Sequence, residues 1–176
     1  ILARIVYYYH FPDTEELTEA IPQLGLSKLY ERHGESERCL ESMERALVYC
    51  RDPRLAYFIS CHIARLYKRM NRWDEAVSIW NSHIESGHLY NLEPFIELAK
   101  YFEHRVRDHK KAIQIVERAL QFVDETQELN ALLGNTLGFD PEKAIDELTY
   151  RLRRLQRRRT PDNAYYTQQE GKHNED

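Results

Sequence analysis

The sequence predicts an all-α fold that consists of a short array of repeated helix pairs, and three observations support this prediction. Apolar residues recur with the period of about 3.6 residues that is typical of a helix up to residue 159, and no segment shows the alternation of a strand. Turn-forming residues divide the chain into helices of about 13 residues. One spacing of small and aromatic residues occurs three times, which is typical of a repeat protein.

The expected helix starts are marked by capping residues. Asp13 with Glu16 resembles a capping box, in which side chains satisfy the free backbone N–H groups of a first helical turn. Asp140 followed by Pro141 provides an N-cap and a proline at the first helical position, where its missing N–H has no cost. Two more junctions are expected at Asp52-Pro53 and Glu93-Pro94.

The expected helix ends fall at Gly34, Asn71 and Gly87. Glycine and asparagine tolerate the left-handed backbone conformation that commonly ends a helix. These positions, with the helix starts, predict turns of only a few residues between successive helices.

The recurring pattern is a small residue, an aromatic residue three positions later, and a second small residue about twelve positions after the first. Its copies are Ser27-Tyr30-Cys39, Ala64-Tyr67-Ala76 and Ala99-Phe102-Ala112, the last with one extra residue in its turn. The small residues would allow two helices to cross closely, and the rings would fill the space beside the crossing. We expect Met43, Trp80 and Val116 to pack against the following unit, because a single helix pair cannot bury its own apolar face.

This pattern resembles the tetratricopeptide repeat, a helix–turn–helix unit of about 34 residues. The resemblance implies a right-handed α-α superhelix, a solenoid with a concave groove. The expected organisation is a leading helix at a junction with an upstream domain (1–19), three repeats within 20–128 (about 20–53, 54–91 and 92–128), a degenerate capping repeat with an Arg-rich helix end (129–159) and a disordered tail (160–176).

Composition excludes several function classes. The three cysteines form no CxxC pair, so neither a disulfide scaffold nor a zinc ribbon is expected, and a reducing cytoplasm is favoured. No apolar run approaches the length of about 18 residues that a membrane span needs. Nucleotide-binding, metalloprotease and hydrolase motifs are absent from the sequence. We therefore expect no cofactor, no metal, no membrane contact and no catalytic residue.

The predicted groove carries one cation per repeat, in the residue that follows each small crossing residue. One turn later come further basic residues and His104, and Glu31 and Glu103 flank the strip. The candidate partner-binding residues are Lys28, Arg32, Arg65, Lys68, Arg69 and Lys100. Such a strip suits an acidic peptide segment, a carboxylate or a phosphate backbone, although paired charges on a solvated helix face would give the same pattern.

The segment 151–159 carries six arginines and no acid. The candidate nucleic-acid-binding residues are Arg151, Arg153, Arg154, Arg157, Arg158 and Arg159. Guanidinium groups bind phosphates. Cations also favour a helix C-terminus for a purely structural reason, the helix dipole, so both interpretations stay open.

The opening Ile1-Leu2-Ala3-Arg4-Ile5-Val6 and the run from Leu24 to Arg32 resemble the helical extension of YprB-like bacterial proteins. That resemblance implies a ribonuclease-H-like exonuclease domain upstream of residue 1. The first functional hypothesis is a non-catalytic module that binds a protein or an acidic peptide. The alternative is a region that positions nucleic acid for such an exonuclease, and a third hypothesis, an enzyme in its own right, has no supporting set of residues.

Overall fold

In a computed structural model, every secondary-structure element of the described residues is helical. The structure describes residues 19–133 and 139–170, together with His10, and describes side chains only within residues 10, 19–127 and 139–158. The elements are α1 (Ala20–Arg32), α2 (Ser36–Tyr49), α3 (Pro53–Arg69), α4 (Trp73–Ser86), α5 (Glu93–Lys100), a π-helical segment (Tyr101–Val106), α6 (His109–Leu133) and α7 (Pro141–Glu170). The all-α prediction is thus confirmed for the described chain.

The helices begin and end for the local reasons that the sequence indicates. The Asp52 carboxylate accepts hydrogen bonds from the backbone N–H groups of Arg54 and Leu55, at 2.8 and 3.0 Å, which caps α3. The Asp140 carboxylate caps α7 in the same way, from Glu142 N at 3.1 Å. The backbone φ angles at the expected helix ends are positive: 73° at Gly34, 62° at Asn71 and 70° at Gly87.

The chain divides into two compact units. Unit 1 (Ile1–Glu85) contains α1 to α3 and nearly all of α4, and unit 2 (Ser86–Asp176) contains α5 to α7. In unit 1, α1 packs on α2 and α2 on α3 around a core that includes Leu26, Tyr30, Met43 and Ile63. In unit 2, α6 packs against both α5 and α7.

The small residues of the recurring pattern are buried as expected. Ser27, Ala64 and Ala99 are at most 1% exposed. The second set of small residues is completely buried: Cys39, Ala76 and Ala112. The residues expected to pack against a neighbouring unit are buried as well: Met43, Trp80 and Val116.

The structure differs from the sequence prediction near the ends. The last helix continues to Glu170, so residues 160–170, assigned above to a disordered tail, have helical backbone; Ala164, Gln168 and Gln169 are good helix formers. The expected start at Asp13 and nearly all of the leading segment 1–19 lie outside the described residues. No helix in the described ranges combines the length and the apolar character that crossing a membrane requires.

Candidate functional site

The predicted groove cations of unit 1 lie on adjacent faces of α1 and α3. The Glu31 carboxylate of α1 accepts a hydrogen bond from the Arg69 guanidinium of α3 at 2.7 Å, and His62 Nε2 is 3.6 Å from the same oxygen. Lys28 and Arg32 stand one turn before and directly after Glu31 on α1. We call the surface formed by Lys28, Arg32, Arg65 and Arg69 the basic face.

The basic face carries four cations, and one of them, Arg69, is paired with the Glu31 carboxylate at 2.7 Å. The hydrogen bond from Arg69 lowers the pKa of Glu31, so this carboxylate is ionised at neutral pH. Burial, and then the nearby charge of Arg65, lower the pKa of His62, which is therefore neutral at pH 7. The charge of this surface thus comes from lysine and arginine alone.

Three of these cations, Lys28, Arg32 and Arg65, are exposed, and the Arg69 side chain is 55% exposed. They can therefore reach a ligand in solvent. Lys68 differs, because its Nζ lies 5.8 Å from the centre of the Trp73 ring at the start of α4. We therefore leave Lys68 out of the basic face.

The remaining groove residues belong to unit 2. Lys100 Nζ donates a hydrogen bond to the Glu97 carboxylate at 2.7 Å, so its charge is partly compensated within α5. The His104 side chain is 60% exposed, and its Nε2 lies 3.6 Å from a Glu103 oxygen.

Lys100 lines a cleft of about 740 Å³ between α5 and the first turns of α7. Its apolar surface comes from Leu92, Ile96, Phe139, Ala144 and Leu148. Its charged surface combines four carboxylates with three cations: Glu93, Glu97, Asp140, Glu147, Lys100, Lys143 and Arg151. The cleft can hold an apolar side chain, and its acidic residues oppose a polyanion.

Three of the six arginines of the basic segment converge on Glu103, whose side chain is fully buried at 0% exposure. The Arg154 guanidinium donates to both carboxylate oxygens, at 2.6 and 2.7 Å. Arg151 donates at 3.3 Å and Arg158 at 3.1 Å. We call Glu103 with Arg151, Arg154 and Arg158 the arginine cluster. Half of the candidate nucleic-acid contacts therefore also anchor α7 within unit 2.

The other arginines of this segment are not members of the arginine cluster. Arg153 and Arg157 are exposed on α7. Arg159 belongs to α7, and its side chain lies outside the described part of the chain.

Sequence reasoning placed Glu31 and Glu103 beside the cations and missed that each binds an arginine of another helix. A signal was available, because both lie four residues after a small crossing residue, Ser27 and Ala99, on the same side of the helix. The π-helical segment was also missed. It contains Glu103 and ends at Arg107, whose φ is 61°.

One serine and histidine pair invites comparison with a catalytic dyad. The Ser60 hydroxyl donates to the Tyr57 carbonyl at 2.8 Å and lies 2.7 Å from His83 Nε2, which donates or accepts according to the tautomer of the ring. A hydroxyl whose proton is engaged by a backbone carbonyl is not activated by the imidazole beside it. Burial lowers the pKa of His83, which keeps the ring neutral. This pair thus links α3 to α4.

Two further observations concern a buried thiol and the side chains that can bind metal ions. Burial raises the pKa of the Cys39 thiol to about 11, so the nucleophilic thiolate is scarce at neutral pH. Within the described ranges, no group of three His, Cys, Asp or Glu side chains is placed to hold a metal ion.

Fold and site together define a helical protein with a basic face on one unit and an arginine cluster on the other. No protein-family profile matches the chain. Over 97 residues it is 30% identical to "Uncharacterized protein YprB" of Bacillus subtilis (strain 168). The match covers 54% of this chain and 23% of YprB, so the chain spans less than a quarter of that relative, whose name states no activity.

Proposed function

We propose that this chain is a non-catalytic module of the tetratricopeptide kind, a right-handed solenoid that binds an acidic peptide or an acidic segment of a partner protein. The buried small residues at all three copies of the repeat pattern support the repeat assignment. The three free cysteines, two of them buried, fit a reducing cytoplasm, the compartment we propose for it.

The basic face is the observation that carries the proposed binding function. Its exposed cations, Lys28, Arg32 and Arg65, lie on two helices that the Glu31–Arg69 ion pair holds together. Because both helices contribute, a peptide lying across them would meet cations on each. A peptide carboxylate can accept two parallel hydrogen bonds from an arginine, which adds orientation to the charge attraction.

The test is a binding titration of the whole chain against a fluorescent peptide rich in Asp and Glu, followed by anisotropy. We expect Lys28→Glu and Arg65→Glu together to weaken binding by about tenfold or more, because each reversal replaces an attraction with a repulsion. The matched control is Lys110→Glu combined with Arg118→Glu, an exposed lysine and an exposed arginine of unit 2 that give the same change in net charge. The control pair should bind like the wild type.

Salt dependence provides a second readout, since exposed ion pairs weaken as ionic strength rises. The proposal is wrong if the wild type fails to bind at low salt. It is also wrong if the control pair loses as much affinity as the Lys28 and Arg65 pair, because net charge alone would then explain binding.

The second candidate function is the positioning of nucleic acid for a ribonuclease-H-like exonuclease. The observation that favours it is the exposed pair Arg153 and Arg157, one helical turn apart on α7. If this function holds, the chain binds a single-stranded oligonucleotide, and Arg153→Gln with Arg157→Gln removes that binding. Loss of oligonucleotide binding in this variant, with no acidic-peptide binding by the wild type, would replace the first function by the second.

A further inference from the structure

The arginine cluster retains more positive charge and more donors than Glu103 uses. Three guanidiniums against one carboxylate leave two net positive charges. Only one nitrogen of each guanidinium donates to Glu103, and among the described residues the other nitrogens have no hydrogen-bond partner. One of them, Arg154 Nε, is buried without an acceptor. Because the three side chains are partly exposed, their remaining terminal nitrogens can donate to a second anion.

Glu103 is placed to orient the guanidiniums rather than to oppose a ligand. Its side chain is fully buried, whereas those of Arg151, Arg154 and Arg158 are 21%, 36% and 52% exposed. The carboxylate therefore faces the interior while the guanidiniums reach solvent. Arginines held in a fixed orientation lose less side-chain freedom when an anion binds, which favours affinity.

The net charge of the arginine cluster favours one kind of anion over another. A phosphomonoester carries about 1.5 to 2 negative charges at pH 7, which matches the two uncompensated positive charges, whereas a backbone phosphodiester carries a single charge. Phosphate oxygens also match the planar fork of arginine. The cluster therefore suits a terminal phosphate better than a nucleic-acid backbone.

The cleft beside the arginine cluster indicates which kind of molecule would carry the phosphate. Arg151 belongs both to the arginine cluster and to the cleft of about 740 Å³. The cleft offers apolar contacts from Ile96 and Leu148, and its four carboxylates repel further negative charge. A peptide with one phosphate and apolar neighbours satisfies both conditions, whereas an oligonucleotide brings a charge at each linkage.

We propose that unit 2 binds a phosphorylated peptide, with the phosphate on Arg151 and its cluster partners and the flanking apolar residues in the cleft between α5 and α7. This site is separate from the basic face of unit 1 and does not depend on it.

The experiment compares a peptide with a central serine flanked by leucines in its phosphorylated and unphosphorylated forms. The wild-type chain should bind the phosphorylated form about tenfold more tightly, since charge-assisted hydrogen bonds are made only to the phosphate. Arg151→Gln should reduce this preference to less than about threefold. The control Arg118→Gln, an exposed arginine on α6 of the same unit, should keep the full preference.

Arg151 makes the longest of the bonds to Glu103, and Arg154 retains two short ones, so Arg151→Gln keeps most of the cluster. If circular dichroism shows that this variant is unfolded, Arg158→Gln takes its place, because Arg158 donates only one bond and is half exposed. The variant Lys28→Glu with Arg65→Glu should keep the phosphate preference, which separates this site from the basic face.

Three outcomes would overturn the proposal. The first is equal affinity of the wild type for the two peptides. The second is an equal loss of preference in Arg151→Gln and in Arg118→Gln. The third is tighter binding of a 5′-phosphorylated oligonucleotide than of the phosphorylated peptide, which would assign the cluster to nucleic acid.

Discussion

Replacing the buried Glu103 by glutamine should destabilise unit 2 more than removing an exposed charge from its surface. The substitution keeps the shape of the side chain and removes the negative charge on which three guanidiniums converge. Glutamine also presents an NH₂ group to these arginines, which are donors only. Two of the four hydrogen bonds, those at 2.6 and 2.7 Å from Arg154, therefore cannot both survive.

The expected loss of stability depends on how exposed the three arginines are. Removing one partner of a fully buried ion pair costs about 3–5 kcal/mol, because the remaining charge is stranded. The guanidiniums here are 21–52% exposed, so water solvates part of the charge that is released. The amide oxygen of glutamine still accepts one bond. We expect the free energy of unfolding to fall by about 2 kcal/mol, the contribution of one or two hydrogen bonds to a charged group.

The assay is urea unfolding followed by far-ultraviolet circular dichroism, with Glu117→Gln as the control. Glu117 is an exposed glutamate on α6, and its replacement should change stability by less than about 0.5 kcal/mol. A double-mutant cycle of Glu103→Gln with Arg154→Gln should give a coupling of about 1–2 kcal/mol. If Glu103→Gln costs no more than Glu117→Gln, or if the two substitutions are additive, the cluster does not hold α7 in the way we describe.

Three further predictions concern the backbone, a buried imidazole and the thiols. Gly34→Ala should lower the free energy of unfolding by about 1 kcal/mol, because the φ of 73° at this position strains a residue that has a side chain. Gly25→Ala should raise it by about 0.5–1 kcal/mol, because Gly25 lies in open space inside α1. Thermal unfolding of both variants checks these opposite signs. Burial holds the pKa of His83 below its ordinary value of 6.5 in the folded chain, so the unfolded chain is protonated at a higher pH than the folded chain. The free energy of unfolding should therefore decrease as the pH falls below about 6.5. His83→Gln should reduce that dependence in unfolding measured across pH 5–7. A thiol reagent at neutral pH should modify the half-buried Cys50 before Cys39, whose pKa is about 11, and Cys50→Ser should remove the fast phase.

Much of the fold could be read from local chemistry. Gly34, Asn71 and Gly87 mark helix ends because the required backbone conformation depends on a single residue. The burial of Ser27, Ala64 and their equivalents could be predicted because helical period and side-chain size are both visible in a short window.

The contacts that define the candidate sites join residues that lie far apart in the sequence. Arg154 bonds to a carboxylate 51 residues earlier, and Arg69 to one 38 residues earlier, and no local period reveals such pairs. The sequence shows six arginines and no acid within residues 151–159, which suggests a phosphate surface. The fold instead brings Glu103 to three of them, because the π-helical segment and α7 both belong to unit 2.

The central claim is that the charge of the basic face selects an acidic partner, and reversing that charge tests it most directly. The whole chain carrying Lys28→Glu and Arg65→Glu is titrated with two peptides of equal length, one rich in glutamate and one in which lysine replaces each glutamate. The account predicts that the variant loses the acidic peptide and binds the basic one more tightly than both the wild type and a control that carries Lys110→Glu and Arg118→Glu, which has the same net charge. Unchanged preference for the acidic peptide in this variant would contradict it.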